Sequence, residues 1–319
     1  MDYQAEFLLN RLTKRFKHLS KWARRTNVCA FRLYDRDIPE FPLVLDYYDG
    51  FVVGALYAKT DAGATGTVAV GADNYPPLHT YVQTVSQALN VLPEKIYIKT
   101  RQKFSHGSAG EQYEKQADEK KTIIIEENGL KFRVNLSDYL DTGLFLEKRL
   151  LRKRLFDEVT GMRVLNLFSY TGAFSVYALA GGAIKVDSVD ISNTYNAWAA
   201  ENMQLNQYTP NADNRIIRAD VLKFLAEAKR KYEIIILDPP AFSNSKKMEG
   251  TLDLKRDAAM LIDHCLGLLT PGGKVYFCSQ VKTTTDYADG TRIKDITRQV
   301  TDEDFRGKRM QAVYEINYE

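Results

Sequence analysis

The sequence predicts an α/β protein in which a mostly parallel sheet, covered by helices on both faces, follows a smaller N-terminal α+β unit. From Arg163 onward, strand-like runs at Val164 to Phe168, Ile184 to Val189, Arg215 to Arg218, Ile234 to Leu237 and Val275 to Phe277 alternate with helical stretches near Phe174 to Ala180, Tyr195 to Asn206, Val221 to Lys229 and Leu252 to Leu269. Such regular alternation implies parallel strands joined by right-handed crossovers. Before it, strand-like pieces at Phe31 to Leu33, Phe51 to Tyr57 and Lys95 to Lys99 surround an apolar helical pattern from Leu78 to Leu92. A chain of 319 residues, 45% hydrophobic and 27% charged, accommodates a large domain and a small one.

The first element is a basic amphipathic helix. Arg11 to Arg25 holds seven Lys or Arg and no acid, while Leu8, Leu9, Leu12, Phe16, Leu19 and Trp22 recur at helical spacing. Two readings stand side by side: a solvated face over a small core, or a nucleic-acid contact through Arg15, Lys21, Arg24 and Arg25. The stretch from Thr60 to Asn74, rich in Gly and Ala, reads as a mobile loop. A second polar stretch, Lys103 to Lys121, holds the expected boundary, which divides the chain into residues 1–118 and 119–319. The next segment, "KTIIIEENGLKFRVN", pairs two alternating runs across Asn128-Gly129, so a β-hairpin is expected at 121–136.

Composition excludes several classes. The apolar runs are of strand length, so neither a signal peptide nor a membrane span is expected and the protein reads as cytoplasmic. Cys29, Cys265 and Cys278 share no metal-ligand spacing, which predicts buried thiols with no disulfide framework and no metal site. The net charge of +3 decides nothing about partners.

In open α/β sheets ligands bind outside the carboxyl ends of the strands. There the first strand delivers "NLFSYTGAFSVYA", whose Gly172 opens a helix with free N–H groups, although one glycine can also merely make a turn. The G-x-G-x-x-G dinucleotide fingerprint is absent, which counts against a nicotinamide dehydrogenase. The second strand ends "VDSVDIS", with Asp190 eighteen residues after Gly172, where a carboxylate can accept both ribose hydroxyls. The third ends "IIRADV", with Asp220 either a helix cap or a ligand for an exocyclic amine. Together the acids outline a pocket that suits S-adenosyl-L-methionine (SAM) better than a dinucleotide.

The fourth strand delivers Asp238-Pro239-Pro240-Ala241-Phe242. The prolines bar helix continuation and hold the acid on a stiff platform. Phe242 can stack on an extruded base, and Lys246 and Lys247 can meet phosphate. The plainer alternative is a strand-ending turn with a core Phe and two solvated lysines.

The motifs "NLFSYTGAFSVYA", "VDSVDIS", "DPPAFSNSKKMEG" and the upstream "FRVNLSDYLDTGLFLEKRLLR" resemble the class I SAM-dependent methyltransferases of large-subunit ribosomal RNA, and in particular their guanine-N7 methyltransferase module. The resemblance extends to the basic N-terminal segment and, faintly, to "DITRQVTDEDFRGKRM". It implies a Rossmann-like sheet of seven strands with the last one antiparallel, for which Val313 to Tyr318 is the natural candidate. It implies that "DTGLFLEKR" closes over SAM with Thr142, Phe145 and Arg149 as neighbours, and that Phe168, Ser169, Tyr170, Thr171, Gly172, Ser192 and Val221 line the cofactor. Asp190 is then the ribose ligand, Asp220 faces the adenine amine, and Asp238 and Phe242 are the catalytic residues near the transferred methyl group. Pro239, Pro240, Lys246, Lys247 and the basic helix meet the RNA, either naked ribosomal RNA or the pre-ribosomal large subunit. Members of that family fuse this module to a second methyltransferase and an RNA-binding domain. This sequence contains neither, so docking falls to the N-terminal unit or to a separate partner.

Three rival readings remain. Guanine N2 methylation uses a similar scaffold, with Asp238 accepting a hydrogen bond from the amine. Cytosine C5 methylation needs a thiolate, and Cys278 at the fifth strand end is either that nucleophile or a small apolar residue. A non-enzymatic RNA-binding protein would tolerate Asp238→Asn.

Overall fold

The computed structural model describes residues 3–58, 76–102, 119–139, 141–244, 250–280, 290–308 and 310–318. The stretch from Thr60 to Asn74, most of that from Lys103 to Lys121, and Lys246 and Lys247 lie outside these residues. The chain divides into two compact units. One comprises Met1–Gly129, Val134–Thr142 and Glu303–Lys308; the other comprises Leu130–Arg133, Gly143–Asp302 and Arg309–Glu319.

The first unit opens with α1 (Tyr3–Thr26), followed by β1 (Ala30–Asp35), β2 (Leu43–Tyr48), β3 (Phe51–Ala58), α2 (Leu78–Leu89) and β4 (Ile96–Gln102). Its sheet runs β1-β2-β3-β4, antiparallel except for the β3–β4 pair, which the α2 crossover joins in parallel. Asp49 and Gly50 both take positive φ (43° and 89°), as the tight turn between β2 and β3 demands. Leu8, Leu12, Leu19, Trp22 and Ala23 form the buried stripe of α1 and share a core with Phe31, Leu33, Leu45 and Val52. Lys21, Arg24 and Arg25 are exposed and Arg15 is half-buried, so the amphipathic pattern read from the sequence is realised. The segment Glu303–Lys308 joins this unit through charge. Asp304 accepts from the Arg32 backbone N–H at 2.9 Å, and Asp37 takes both Arg11, at 2.6 Å, and Lys308.

A hairpin follows, β5 (Thr122–Glu127) and β6 (Leu130–Asn135), with Asn128 and Gly129 at φ 51° and 80° in the turn. The second unit then runs α3 (Arg149–Glu158), β7 (Arg163–Leu167), α4 (Ala173–Ala180), β8 (Lys185–Asp190), α5 (Asn193–Leu205), β9 (Asn214–Arg218), α6 (Val221–Glu227) and β10 (Tyr232–Leu237). It continues with β11 (Phe242–Ser243), β12 (Leu252–Asp253), α7 (Leu254–Gly267), β13 (Leu269–Ser279), β14 (Thr291–Asp295) and β15 (Ala312–Tyr318). The seven-stranded sheet has the order β14-β15-β13-β10-β7-β8-β9. Only β15 runs against its neighbours, and it lies between β13 and β14. Ile234, Ile235, Ile236 and Leu237 are all buried, because a central parallel strand is covered on both faces. No helix of the described residues is long and apolar enough to cross a membrane.

Three strand features escaped the sequence pattern. β2, "LVLDYY", buries its first three residues in a row and so lacks alternation. β14, "TRIKD", is a polar edge strand with no apolar run. β11 and β12 are two residues each, too short for any period.

Asp187 on β8 is fully buried and ties β8, β9 and β10 together. It accepts from Arg215 Nε and Nη2 (both 2.7 Å), Arg230 Nη1 (2.8 Å) and the Tyr232 hydroxyl (2.7 Å). Burial works to raise its pKa, but the bonds from Arg215 and Tyr232 and the charge of Arg230 outweigh it and hold the carboxyl below its ordinary value. A depressed carboxyl stabilises the fold above the unfolded pKa of about 4 and loses that contribution as pH falls through the folded value. The melting temperature is therefore expected to fall as pH drops below about 4. In Asp187→Asn, whose melting temperature is already lower at neutral pH, that acid limb should be flatter when followed by scanning calorimetry.

Candidate active site

The loop after β7 is the most strained part of the second unit. Phe168 and Tyr170 both take positive φ (55° and 50°), and Gly172 follows at 74°. Large side chains rarely occupy this region, and such strain persists only where surrounding bonds over-determine it. Here they do. Ser169 N–H donates to Val189 O (3.0 Å), Tyr170 N–H to Asp190 Oδ2 (3.0 Å), Gly172 N–H to Ser169 O (2.9 Å), and Thr171 Oγ1 to Gly143 O (2.5 Å). Gly172 also lets α4 approach α5, since a Cβ there would stand 2.8 Å from Ala199 Cβ. The single glycine thus serves turn, helix start and helix packing together.

At the end of β8, Asp190 Oδ1 accepts from Ser192 N–H (2.8 Å), and Ser192 in turn caps α5. Each Asp190 oxygen therefore accepts one of these backbone N–H groups, which fixes the carboxylate at the strand end. Asn196 on α5 donates to Asp190 O (3.0 Å), but its own Oδ1 makes no hydrogen bond among the described residues. The buried Ser169 hydroxyl is likewise without a partner there. Leaving buried polar atoms unsatisfied costs about 1–3 kcal/mol each. Two of them flanking Asp190 fit a polar ligand seated at this strand end, as a ribose or amino-acid moiety of SAM would be. Asn196 was not singled out in the sequence, because its orphaned oxygen emerges only once α5 docks.

Asp220 caps α6 by accepting from Leu222 N–H (2.9 Å), and Val221 beside it is buried. Capping is therefore real, and it engages Oδ1 alone; Oδ2 makes no hydrogen bond among the described residues. Beyond β10, the loop is held by more than its prolines. Phe242 pairs with Asp253 and Ser243 with Leu252, while Leu254 N–H donates to Ala241 O (3.0 Å). Pro239 is buried, Pro240 and Phe242 are half-buried, and the start of α7 braces the whole turn.

Of the segment expected to close over the cofactor, Phe145 sits 5.2 Å from the Tyr170 ring, and Tyr170 lies edge-on to Tyr195 at 4.5 Å. Arg149 is buried and its guanidinium bonds Asp302 at 2.9 Å. Thr142 belongs to the first unit, where its hydroxyl shares a 2.8 Å bond with the Tyr48 hydroxyl.

The residue that meets Asp238 is Lys148, which the sequence did not distinguish among the basic residues of "EKRLLRKR". Its side chain is 3% exposed and its Nζ lies 3.0 Å from Asp238 Oδ1, with a further bond to Gln311. Burial disfavours the ammonium, yet Asp238, Cys278 and Glu147 outweigh it and raise the lysine pKa above its ordinary value. Burial likewise pushes the Cys278 thiol up to about 12 against the lowering effect of Lys148. Among the described residues no group of three His, Cys, Asp or Glu could hold a metal ion.

A family model described as S-adenosylmethionine-dependent methyltransferase matches residues 87–294. A protein of Neisseria meningitidis named ribosomal RNA large subunit methyltransferase K is 40% identical over 97% of this chain and 86% of its own length. One of Magnetococcus marinus named ribosomal RNA large subunit methyltransferase K/L is 39% identical over 94% of this chain, which spans 41% of that longer relative. Among solved structures, a methyltransferase-like protein complexed with SAH covers 98% of this chain at TM-score 0.71 and 23% identity. A SAM-dependent methyltransferase of Agrobacterium tumefaciens covers 87% at 0.58 and 21%. The structural likenesses establish the fold, and the family model and the relatives together establish that the chain belongs to the S-adenosylmethionine-dependent methyltransferases, alongside the ribosomal RNA large subunit methyltransferases K.

Proposed function

We propose that this protein methylates N7 of a guanine in large-subunit ribosomal RNA. The observation that carries the choice of atom is the chemistry around Asp238: its buried neighbours Lys148 and Cys278 both hold their protons. Guanine N7 offers an in-plane lone pair and has no proton to lose. Guanine N2 must shed one, and with both neighbours protonated Asp238 alone would have to receive it. Cytosine C5 chemistry needs a thiolate, which a fully buried Cys278 with a raised pKa does not supply. The RNA class follows the name of the Neisseria relative, most of whose length this chain spans.

SAM supplies an electrophilic methyl on a sulfonium whose departure requires no acid. The chain's residues bind and orient. Asp190 takes the ribose hydroxyls, with Ser192 and Tyr170 N–H groups fixing its carboxylate and Ser169 and Asn196 contributing their unpartnered atoms. Asp220 and Val221 face the adenine, and Phe168, Thr171 and Gly172 shape the floor of the pocket. Phe145 from the segment before α3 and Arg149 from its first turn border it. At the other end Phe242 stacks on the guanine, Pro239 and Pro240 hold the turn, and Asp238 stabilises the positive charge that N7 methylation places on the ring. Positioning and preorganised charge supply most of the acceleration in such a transfer. Arg15, Lys21, Arg24 and Arg25 on α1, with Lys246 and Lys247, neutralise RNA phosphates.

Mass-spectrometric nucleoside analysis of large-subunit RNA from cells with and without the protein tests the proposal. Loss of 7-methylguanosine is the expected result. Loss of N2-methylguanosine or 5-methylcytidine in its place would overturn it.

A further inference from the structure

Four side chains from distant parts of the sequence meet beneath the Asp238 platform. Lys148 stands at the start of α3, Asp238 at the end of β10, Cys278 near the end of β13, and Gln311 just before β15. The antiparallel pairing of β15 on β13, with Ser279 opposite Ala312 and Cys278 opposite Val313, carries Gln311 to this end of the sheet. Lys148 Nζ donates to Asp238 Oδ1 and to Gln311 Oε1. Asp238 Oδ2 makes no hydrogen bond among the described residues. A lysine buried to this degree is retained at a desolvation cost, and a structural ion pair contributes little net stability against an apolar replacement.

We propose that Lys148 is a positioning residue for methyl transfer: its ammonium, tethered by Gln311, fixes the Asp238 carboxylate through Oδ1 and leaves Oδ2 to the nucleobase. The inference rests on the reading of Asp238 as the acid beside the base. Without Lys148 the carboxylate loses the donor that orients it through Oδ1. The groups bearing on the lysine are Asp238, Cys278 and Glu147, with neutral Gln311 completing the set. Of these, Asp238 is the one that contacts Lys148 as an ion pair.

The test compares kcat and KM for SAM in methyl transfer to large-subunit RNA, together with the melting temperature, in wild type, Lys148→Met, Lys148→Arg and Gln311→Leu. For Lys148→Met, kcat is expected to fall about ten- to a hundredfold with KM for SAM unchanged. Lys148→Arg keeps the charge with a different shape, so kcat falls less than in Lys148→Met, by about three- to tenfold. Gln311→Leu lowers kcat severalfold. Lys148→Met with wild-type kcat overturns the inference, as does a lowered melting temperature with loss of kcat and a matching rise in KM for SAM. If Lys148→Met does not fold, Lys148→Arg decides: reduced kcat at unchanged KM for SAM supports the inference, and wild-type kcat overturns it. A wild-type protein that fails to methylate the RNA refutes the proposed function itself, whereas wild-type turnover with indifferent variants refutes only the role of Lys148.

Discussion

Asp238→Asn is expected to lower kcat for methyl transfer about a hundred- to a thousandfold, the range seen when one preorganised electrostatic group is removed from a transition state. The substitution preserves shape and keeps an oxygen for Lys148, 3.0 Å away, but deletes the charge that offsets the developing cation. SAM affinity should stay within about twofold, because the proposed ribose ligand, Asp190, stands at the end of β8, two strands from Asp238 on β10. Steady-state kinetics with calorimetric titration of SAM measures both quantities. Activity retained within about tenfold would remove Asp238 from the catalytic role and return "DPPAF" to a strand-ending turn.

The largest effect on stability is expected at Gly143. Its φ is +99°, and a Cβ there would stand 2.3 Å from Trp198 Cζ2 and 2.6 Å from Cη2. The indole cannot retreat easily, because its Nε1–H donates to Arg133 O at 3.0 Å. Gly143→Val adds backbone strain of about 1–3 kcal/mol and overpacking of about 1–3 kcal/mol, and so lowers the melting temperature by roughly 10 °C or more. It also disturbs the Thr171–Gly143 bond that braces the strained loop after β7, so SAM binding weakens alongside stability. Thermal unfolding with and without SAM follows both effects, and a melting temperature within about 2 °C of wild type would contradict the clash.

The core of the fold was legible in β10, where burial on both faces leaves the apolar run Ile234 to Leu237, whereas β7 and β8, broken by Asn166 and by Asp187 and Ser188, were readable through their alternation with helices. Edge position erased that signal in β14, where "TRIKD" faces solvent on most of its length. At the site, Asp190, Asp220, Asp238 and Gly172 were readable because strand exits follow from strand assignments. Lys148 was not, since its partner lies ninety residues away and nothing local separates it from Arg149. Arg149 drew the attention, and the structure turns its guanidinium to Asp302. Asp220 shows the opposite lesson, for the capping reading and the ligand reading use different oxygens of one carboxylate and both can hold.

The reversed strand β15 has a bearing on biogenesis. It is the last of the seven to leave the ribosome, yet it fills an interior slot between β13 and β14. Until it arrives, β13 and β14 each present an unpaired edge, a state prone to wrong pairing with other chains. Gln311 travels immediately ahead of this strand, so the tether on Lys148 is assembled in the same late event that closes the sheet. On the proposed role of Lys148, a C-terminally clipped chain lacks this tether, and catalytic competence arrives with the final strand.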